Sequence, residues 1–172
     1  FLNSSDDEEM KEKRLIYITE LQKIEKEIRE LSHDLNHETD FNQADYRYLL
    51  HNLVQSIDEV SQTTYTCIVD PSIVWDNYSS VIKINIYRVL QELFSNVNKY
   101  AQAEQCNIKI NIEGDLLLIS VIDDGIGFDT NLTPNGIGMK NISQRIATIK
   151  GTINIKSKQG EGTQVFIEIK KK

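Results

Sequence analysis

All eight glycines of this 172-residue chain fall after residue 113, at Gly114, Gly125, Gly127, Gly136, Gly138, Gly151, Gly160 and Gly162. Glycine permits left-handed backbone and close approach of chain to chain, and it weakens helix interiors. A front without glycine is free to form long helices, whereas the glycine-dense back calls for turns between strands. The chain therefore divides into a helix-rich front and a loop-and-strand back. Its length suits one domain or two small ones.

In the front, "NSSDDEEMKEK" is a charged lead-in, taken as a linker over residues 1–14. Tyr17, Leu21, Ile24, Ile28, Leu31 and Leu35 then recur at alternating spacings of four and three. That is a heptad seam, which buries itself against another helix. A second run, Tyr46, Leu50, Leu53, Ile57 and Val60, has similar spacing. The two runs predict an antiparallel helical hairpin over residues 15–62. A single hairpin would leave much apolar surface exposed, so a homodimer forming a four-helix bundle is expected. A generic oligomerisation coil is the plain alternative.

Within the first run, "LSHDLNHE" sets His33 and His37 four residues apart, each followed by an acid. Residues at that spacing share a helix face. A metal clip, a catalytic histidine and a solvated surface all fit these eight letters. With Leu21, Ile28 and Leu35 in the first seam position, His33 falls at the outermost heptad position and faces water.

The back, taken as one domain over residues 63–172, mixes strands and helices. "TTYTCIVD" reads as a strand, and Ser79 or Ser80 can cap the following helix. That helix has an apolar stripe of Ile82, Ile86, Leu90, Leu93 and Val97. "CNIKINIEG" and "DLLLISVID" read as strands, a helix follows Gly138, and two alternating strands meet at Gly160–Gly162. The order predicts an α+β fold, with a helical layer on a mixed sheet in a two-layer sandwich.

Hydrophobic residues at 40% permit a real core, and the net charge of -7 argues against a protein built to coat nucleic acid. Cys67 and Cys106 lack metal-ligand spacing. A reduced compartment is the simpler reading, with a disulfide as the alternative. No apolar run approaches the ~20 residues of a membrane span, and no signal peptide is visible. Beginning at Phe1, the chain reads as a piece of something longer.

Three constellations carry chemistry. Glu92, Asn96 and Lys99 form a stripe apart from the apolar one; hard oxygens suit Mg²⁺ and an ammonium suits phosphate. A solvated face with a Glu–Lys pairing explains the same letters. "VIDDGIGFD" runs a buried strand into Asp123, Asp124, Gly125 and Gly127, without the third glycine of a dinucleotide fingerprint or the Gly-Lys of a Walker motif. "NGIGMKN" then leads Gly136 and Gly138 into a helix N-terminus, a ready anion site. The polar loop between them could act as a lid. Any one glycine pair is explained by a plain turn; two pairs plus "GEGT" at 160–163 are harder to dismiss.

Taken in order, "RVLQELFSNVNKYA", "DDGIGF", "NGIGMKNI" and "GEGTQVFIEI" resemble the N box and glycine boxes of sensor histidine kinases. These carry a Bergerat-type (GHKL) ATP-binding domain. "GIGMKNISQRIATIKGTINIKSKQGEGTQVFIEI" is similar to the nitrate-sensor and DesK-like group, in which an acid follows the phospho-acceptor histidine, as in "LSHDLN". The resemblance covers most of the chain from about Leu21 to Ile169.

It implies an ATP-dependent protein-histidine kinase of a two-component system, with ATP and Mg²⁺ as cofactors. Asn96 and Glu92 would hold Mg²⁺, while Lys99 and Tyr100 would reach the phosphates. Asp123 would accept a hydrogen bond from the adenine amino group, backed by Thr163, with Asp124 a lesser neighbour. Gly125 and Gly127 would let the backbone approach the nucleotide, and Gly136 and Gly138 would hinge the lid. His33 becomes the phosphoryl acceptor and Asp34 its base or orienting carboxylate, with His37 a surface neighbour. The implied partners are a second copy and a response-regulator receiver domain, not nucleic acid. A cytoplasmic place is implied, and a membrane helix or a cytosolic sensor upstream of Phe1 is equally compatible.

Two departures stand out. His33 and Asn96 are 63 positions apart, clearly fewer than is usual in this group, so the hairpin must be trimmed or its second helix placed unusually. Relatives also tend to carry Gln or His five residues after the acceptor, where this chain has Glu38. An ionised carboxylate cannot donate a hydrogen bond, which predicts weak or altered phosphatase activity. The alternatives are a catalytically weak scaffold of the same fold and a non-kinase ATPase acting as a dimeric interaction module.

Overall fold

The computed structural model of the protein describes residues 45–130 and 137–171. The chain divides into two compact units, Phe1–Asp40 and Phe41–Lys172, and the described residues belong to the second. The first heptad seam, His33, Asp34, His37, Glu38 and Gly136 lie outside the described residues.

Helix α1 spans Tyr46–Asp58, capped by the Asp45 side chain, which accepts from the Arg47 N–H at 2.9 Å. Strand β1 is Thr64–Val69, and helix α2 is Ser80–Asn96. Ser79 caps α2 by accepting from the Ile82 N–H. Strands β2 (Gln105–Glu113) and β3 (Leu116–Asp123) form a hairpin through Gly114, whose φ of +58° suits a turn residue without a Cβ. Helix α3 (Ile137–Thr148) precedes β4 (Thr152–Ser157) and β5 (Thr163–Lys170).

The sheet runs β1-β2-β3-β5-β4. Only the β1–β2 pairing is parallel; the others are antiparallel. This is the expected α+β arrangement with a mixed sheet. Period-2 alternation sends Ile108 and Ile110 of β2, Leu117, Ile119 and Val121 of β3, and Val165, Ile167 and Ile169 of β5 to one buried face. The α2 stripe Ile82, Ile86, Leu90, Leu93 and Val97 is buried in the same core, with Ile142 and Ile146 of α3.

Helix α1 departs from the expected hairpin. Its stripe Tyr46, Leu50 and Leu53 is buried in the core of the sheet unit, although residues 15–62 were expected to form a separate dimerisation element. The Tyr46 ring meets Trp75 edge-on at 4.5 Å, and its hydroxyl donates to the Lys83 carbonyl at 2.7 Å. Arg47 donates to the carbonyls of Asp70, Pro71 and Ile73, each at 3.3 Å, tying the helix to the loop after β1. The physical reason is simple: heptad-like spacing dictates that one face is buried but leaves open what covers it. Val60, assigned to the seam, lies past the helix and is 81% exposed. The dimeric bundle has no counterpart among the described residues.

Among the described residues, no helix is long and apolar enough to cross a membrane. Both cysteines are free, and burial pushes the thiols of Cys67 and Cys106 up to about 11 and about 12.

Candidate functional site

The site gathers at the end of the sheet where β3 leaves it. Registers across all five strands place Tyr65, Cys106, Asp123, Thr163 and Ser157 opposite one another in one transverse row. Deeper rows on this face are apolar, such as Ile108, Val121, Val165 and Ile155. The end row is where polarity enters, and Asp123 is 7% exposed within it. Its Oδ1 accepts from the Gly125 N–H at 3.0 Å.

Burial raises the Asp123 carboxyl above its ordinary range, and the charge of Asp124 adds to this. Hydrogen bonds from the Gly125 N–H and from the N–H and hydroxyl of Thr163 pull it back down. An ionised carboxylate can accept about four hydrogen bonds, so a ligand amino group can add to the donors already there. Asp124 does different work. Its Oδ1 accepts from the N–H groups of Glu104 and Gln105, both at 2.9 Å, and so pins the start of β2.

The glycine positions are explained by what surrounds them. A Cβ on Gly125 would overlap the Ala101 carbonyl, and one on Gly162 the Asp123 carbonyl. Gly127 combines φ of +57° with close approach of the Lys158 and Gly162 carbonyls. The stretch of residues 125–127 is therefore pressed against the end of α2 on one side and the β4–β5 turn on the other. Ile126 makes both connections, donating to the Ala101 carbonyl at 2.7 Å and accepting from the Gly160 N–H at 2.6 Å.

The end of α2 was not legible as it stands. The helix widens at Val97–Ala101 into a π-helical turn, then stops at Gln102 with φ of 51°. Such turns concentrate at functional sites. A wider turn takes more residues per circuit, so Lys99, three residues on, swings away from the Asn96 face, while Tyr100, four residues on, stays close to it. Lys99 and Tyr100 are both exposed, whereas Glu92 and Asn96 are half-buried. Asn98 is spent on structure: its Oδ1 accepts from the hydroxyls of Tyr65 and Ser61, each at 2.7 Å.

Gly138 packs against the Glu92 carboxylate, and a Cβ there would strike it. This brings the start of α3 beside the Glu92–Asn96 stripe. Four sequence-predicted stretches are thus linked by contact: α2, the turn after β3, the first turn of α3 and the β4–β5 turn. Ser157 belongs with them and was missed; its Oγ lies 3.1 Å from the Thr163 hydroxyl.

Residues 82–172 match the family described as histidine kinase-, DNA gyrase B-, and HSP90-like ATPase. The chain belongs to that family. It is 31% identical over 94 residues to the oxygen sensor histidine kinase NreB of Staphylococcus carnosus, covering 54% of this chain and 27% of that protein. It is 29% identical over 91 residues to the signal transduction histidine-protein kinase/phosphatase DegS of Bacillus subtilis, covering 51% and 24%. The match thus spans about a quarter of each relative's length. These relatives set the ATPase domain among those of sensor histidine kinases, as the motifs implied.

Solved structures agree on the fold. The histidine kinase domain of a blue-light activated histidine kinase from Erythrobacter litoralis superposes with a TM-score of 0.66 at 17% identity, covering 80% of this chain and 70% of that one. The Acinetobacter baumannii histidine kinase AdeS gives 0.65 at 16% identity, covering 91% and 84%.

The residues present fit Mg-ATP. Asp123 is a buried acceptor, and Gly125 and Gly138 let the turn after β3 and the start of α3 lie directly against Ala101 and Glu92. Glu92 and Asn96 supply hard oxygens on one helix face. Among the described residues, no group of three or more His, Cys, Asp or Glu could hold a metal ion by itself. Mg²⁺ is typically bound through one or two protein oxygens together with substrate phosphates.

Proposed function

We propose that this chain is the ATP-binding catalytic part of a sensor histidine kinase. It would transfer the γ-phosphoryl group of ATP to a histidine and thence to an aspartate on a response regulator. The observation that carries the reading is the end row of the sheet, where buried Asp123 faces Thr163 beside a turn built on Gly125 and Gly127.

Asp123 accepts the adenine amino group, and Thr163 backs the carboxylate. Asn96, with Glu92 beside it, would hold Mg²⁺, whose chemistry is to neutralise charge on the transferring phosphoryl group. Lys99 and Tyr100, exposed on the π turn, reach the phosphates. Gly136 and Gly138 hinge the segment between them and the turn. His33 is the acceptor that this chain offers. One imidazole nitrogen attacks the γ-phosphorus, the bond to the β–γ bridging oxygen breaks, and ADP leaves. The proton on the other nitrogen is held by Asp34. The working form is a homodimer.

Helix α1 favours a second reading of the acceptor. It is committed to the sheet core and begins at Tyr46. His33 and Asp45 are only 12 positions apart, so few residues separate the proposed acceptor from a helix already committed to the sheet core. On this reading the acceptor is a histidine outside these 172 residues.

Incubation with Mg²⁺ and γ-labelled ATP tests both. Acid-labile, base-stable label that is lost in His33→Gln and kept in His37→Gln supports His33. Equal label in His33→Gln refutes it. A chain that binds ATP, stays unlabelled, and labels a histidine in a longer form of the protein supports the second reading.

A further inference from the structure

Ser157 ends β4 and stands opposite Thr163, which stands opposite Asp123. Its Oγ has three partners: the Phe128 N–H at 2.9 Å, the Gly162 carbonyl at 2.9 Å and the Thr163 hydroxyl at 3.1 Å. A serine hydroxyl has one proton and two lone pairs. Phe128 donates, so it occupies a lone pair. The single proton can go to the Gly162 carbonyl or to Thr163, but not to both.

The two choices differ at Asp123. If Ser157 donates to Gly162, two hydroxyl oxygens face each other at 3.1 Å unless Thr163 donates back to Ser157. That turns the Thr163 proton away from Asp123. If Ser157 donates to Thr163, the Thr163 proton is free to point at the carboxylate. The bonds then run in one sense from the Phe128 N–H through Ser157 and Thr163 to Asp123. A hydrogen bond to an ionised acceptor is stronger than one to a neutral acceptor. The charge on an ionised Asp123 favours the second arrangement, which gives up the bond from Ser157 to the Gly162 carbonyl.

We propose that Ser157 is a positioning residue for purine selection, acting through Thr163 to keep the Asp123 carboxylate fixed as a hydrogen-bond acceptor. This rests on the reading of Asp123 as the adenine partner. A fixed acceptor takes the exocyclic amino group of adenine and repels the carbonyl oxygen that guanine carries at the same place. Without the Ser157 hydroxyl, Thr163 loses the group that orients it, and the carboxylate is free to turn. The same oxygen anchors Phe128, which ties the outgoing turn to the selecting row.

The test compares Ser157→Ala and Ser157→Thr with the parent. Binding of ATP and GTP is measured by calorimetry, with thermal unfolding as a check on folding. Ser157→Ala should bind ATP about tenfold more weakly while GTP changes little, so the purine preference falls. Ser157→Thr restores the hydroxyl and should restore the preference. Parent-like ATP binding in Ser157→Ala overturns the proposal. So does equal weakening toward both nucleotides, which a merely structural loss would give. Unchanged ATP binding in Asp123→Asn overturns the underlying adenine reading instead, whatever Ser157→Ala does.

Discussion

The Ile126 N–H donates to the Ala101 carbonyl at 2.7 Å, so the glycine turn after β3 hangs on the π turn that ends α2. One bond thus joins the Asp123 end of the site to the helix that carries Glu92 and Asn96. It requires that nothing stand between the two backbones, and Gly125 provides that clearance.

Gly125→Ala should therefore do two things at once. Its Cβ would overlap the Ala101 carbonyl, and backbone yields poorly, so a loss of about 1–3 kcal/mol is expected. ATP affinity should fall at least about tenfold, because Asp123 and the π turn can no longer keep their spacing. Gly114→Ala is the control. Its φ of +58° carries a strain of about 1–2 kcal/mol, but nothing lies within 4 Å of the added carbon. Denaturant unfolding should register both variants, and nucleotide titration only the first.

Asp123 gives a prediction about pH. Its carboxyl is raised in the fold, chiefly by burial. The folded state then binds its proton more tightly than the unfolded chain does. Ionising Asp123 costs stability, and that cost disappears as pH falls from neutral through the raised range. Asp123→Asn has no such dependence. Denaturant unfolding at several pH values should show the parent gaining on Asp123→Asn with acidification. A stability gap that stays constant from neutral to acid pH would overturn this. ATP binding should be lost in the variant at every pH.

Gly138→Ala should separate folding from turnover. The added carbon meets the Glu92 carboxylate, the far end of a flexible side chain, so the fold can give way there. Stability should stay within about 0.5 kcal/mol of the parent. Glu92, however, must turn off the stripe it shares with Asn96. Phosphoryl transfer with Mg-ATP should fall at least about tenfold, with metal-free ATP binding little changed. Filter-binding and label-transfer assays distinguish the two effects.

Much of this site was readable from letters because its glycines are required by sterics. Gly125, Gly127 and Gly162 tolerate no Cβ where the backbone runs, so they mark the site directly. Asp123 was readable because a buried strand ends on an acid. Ser157 was in principle readable too: a hairpin centred on Gly160 sets residue 157 opposite 163. The π turn was not. "VNKYA" continues the helical pattern, and its widening is visible only where Ala101 turns its carbonyl toward Ile126. Nor could the partner of α1 be read, since Tyr46, Leu50 and Leu53 specify an apolar face and not what lies against it.

That last point has its own test. Leu50 is 1% exposed and sits in the core of the sheet unit. Leu50→Ala should cost about 2–5 kcal/mol, the range for removing a buried leucine side chain. The loss should appear as cooperative unfolding of the ATP-binding domain, seen by near-ultraviolet circular dichroism, and ATP binding should fail over the same temperature range. Tyr46→Phe, which removes only the hydroxyl bonded to Lys83, should cost about 1 kcal/mol. A helix that belonged instead to a dimerising hairpin would behave differently. Leu50→Ala would then dissociate the dimer in sedimentation experiments while the domain kept its melting temperature and its ATP. That outcome would return α1 to the bundle, and with it the room that His33 needs for a return limb.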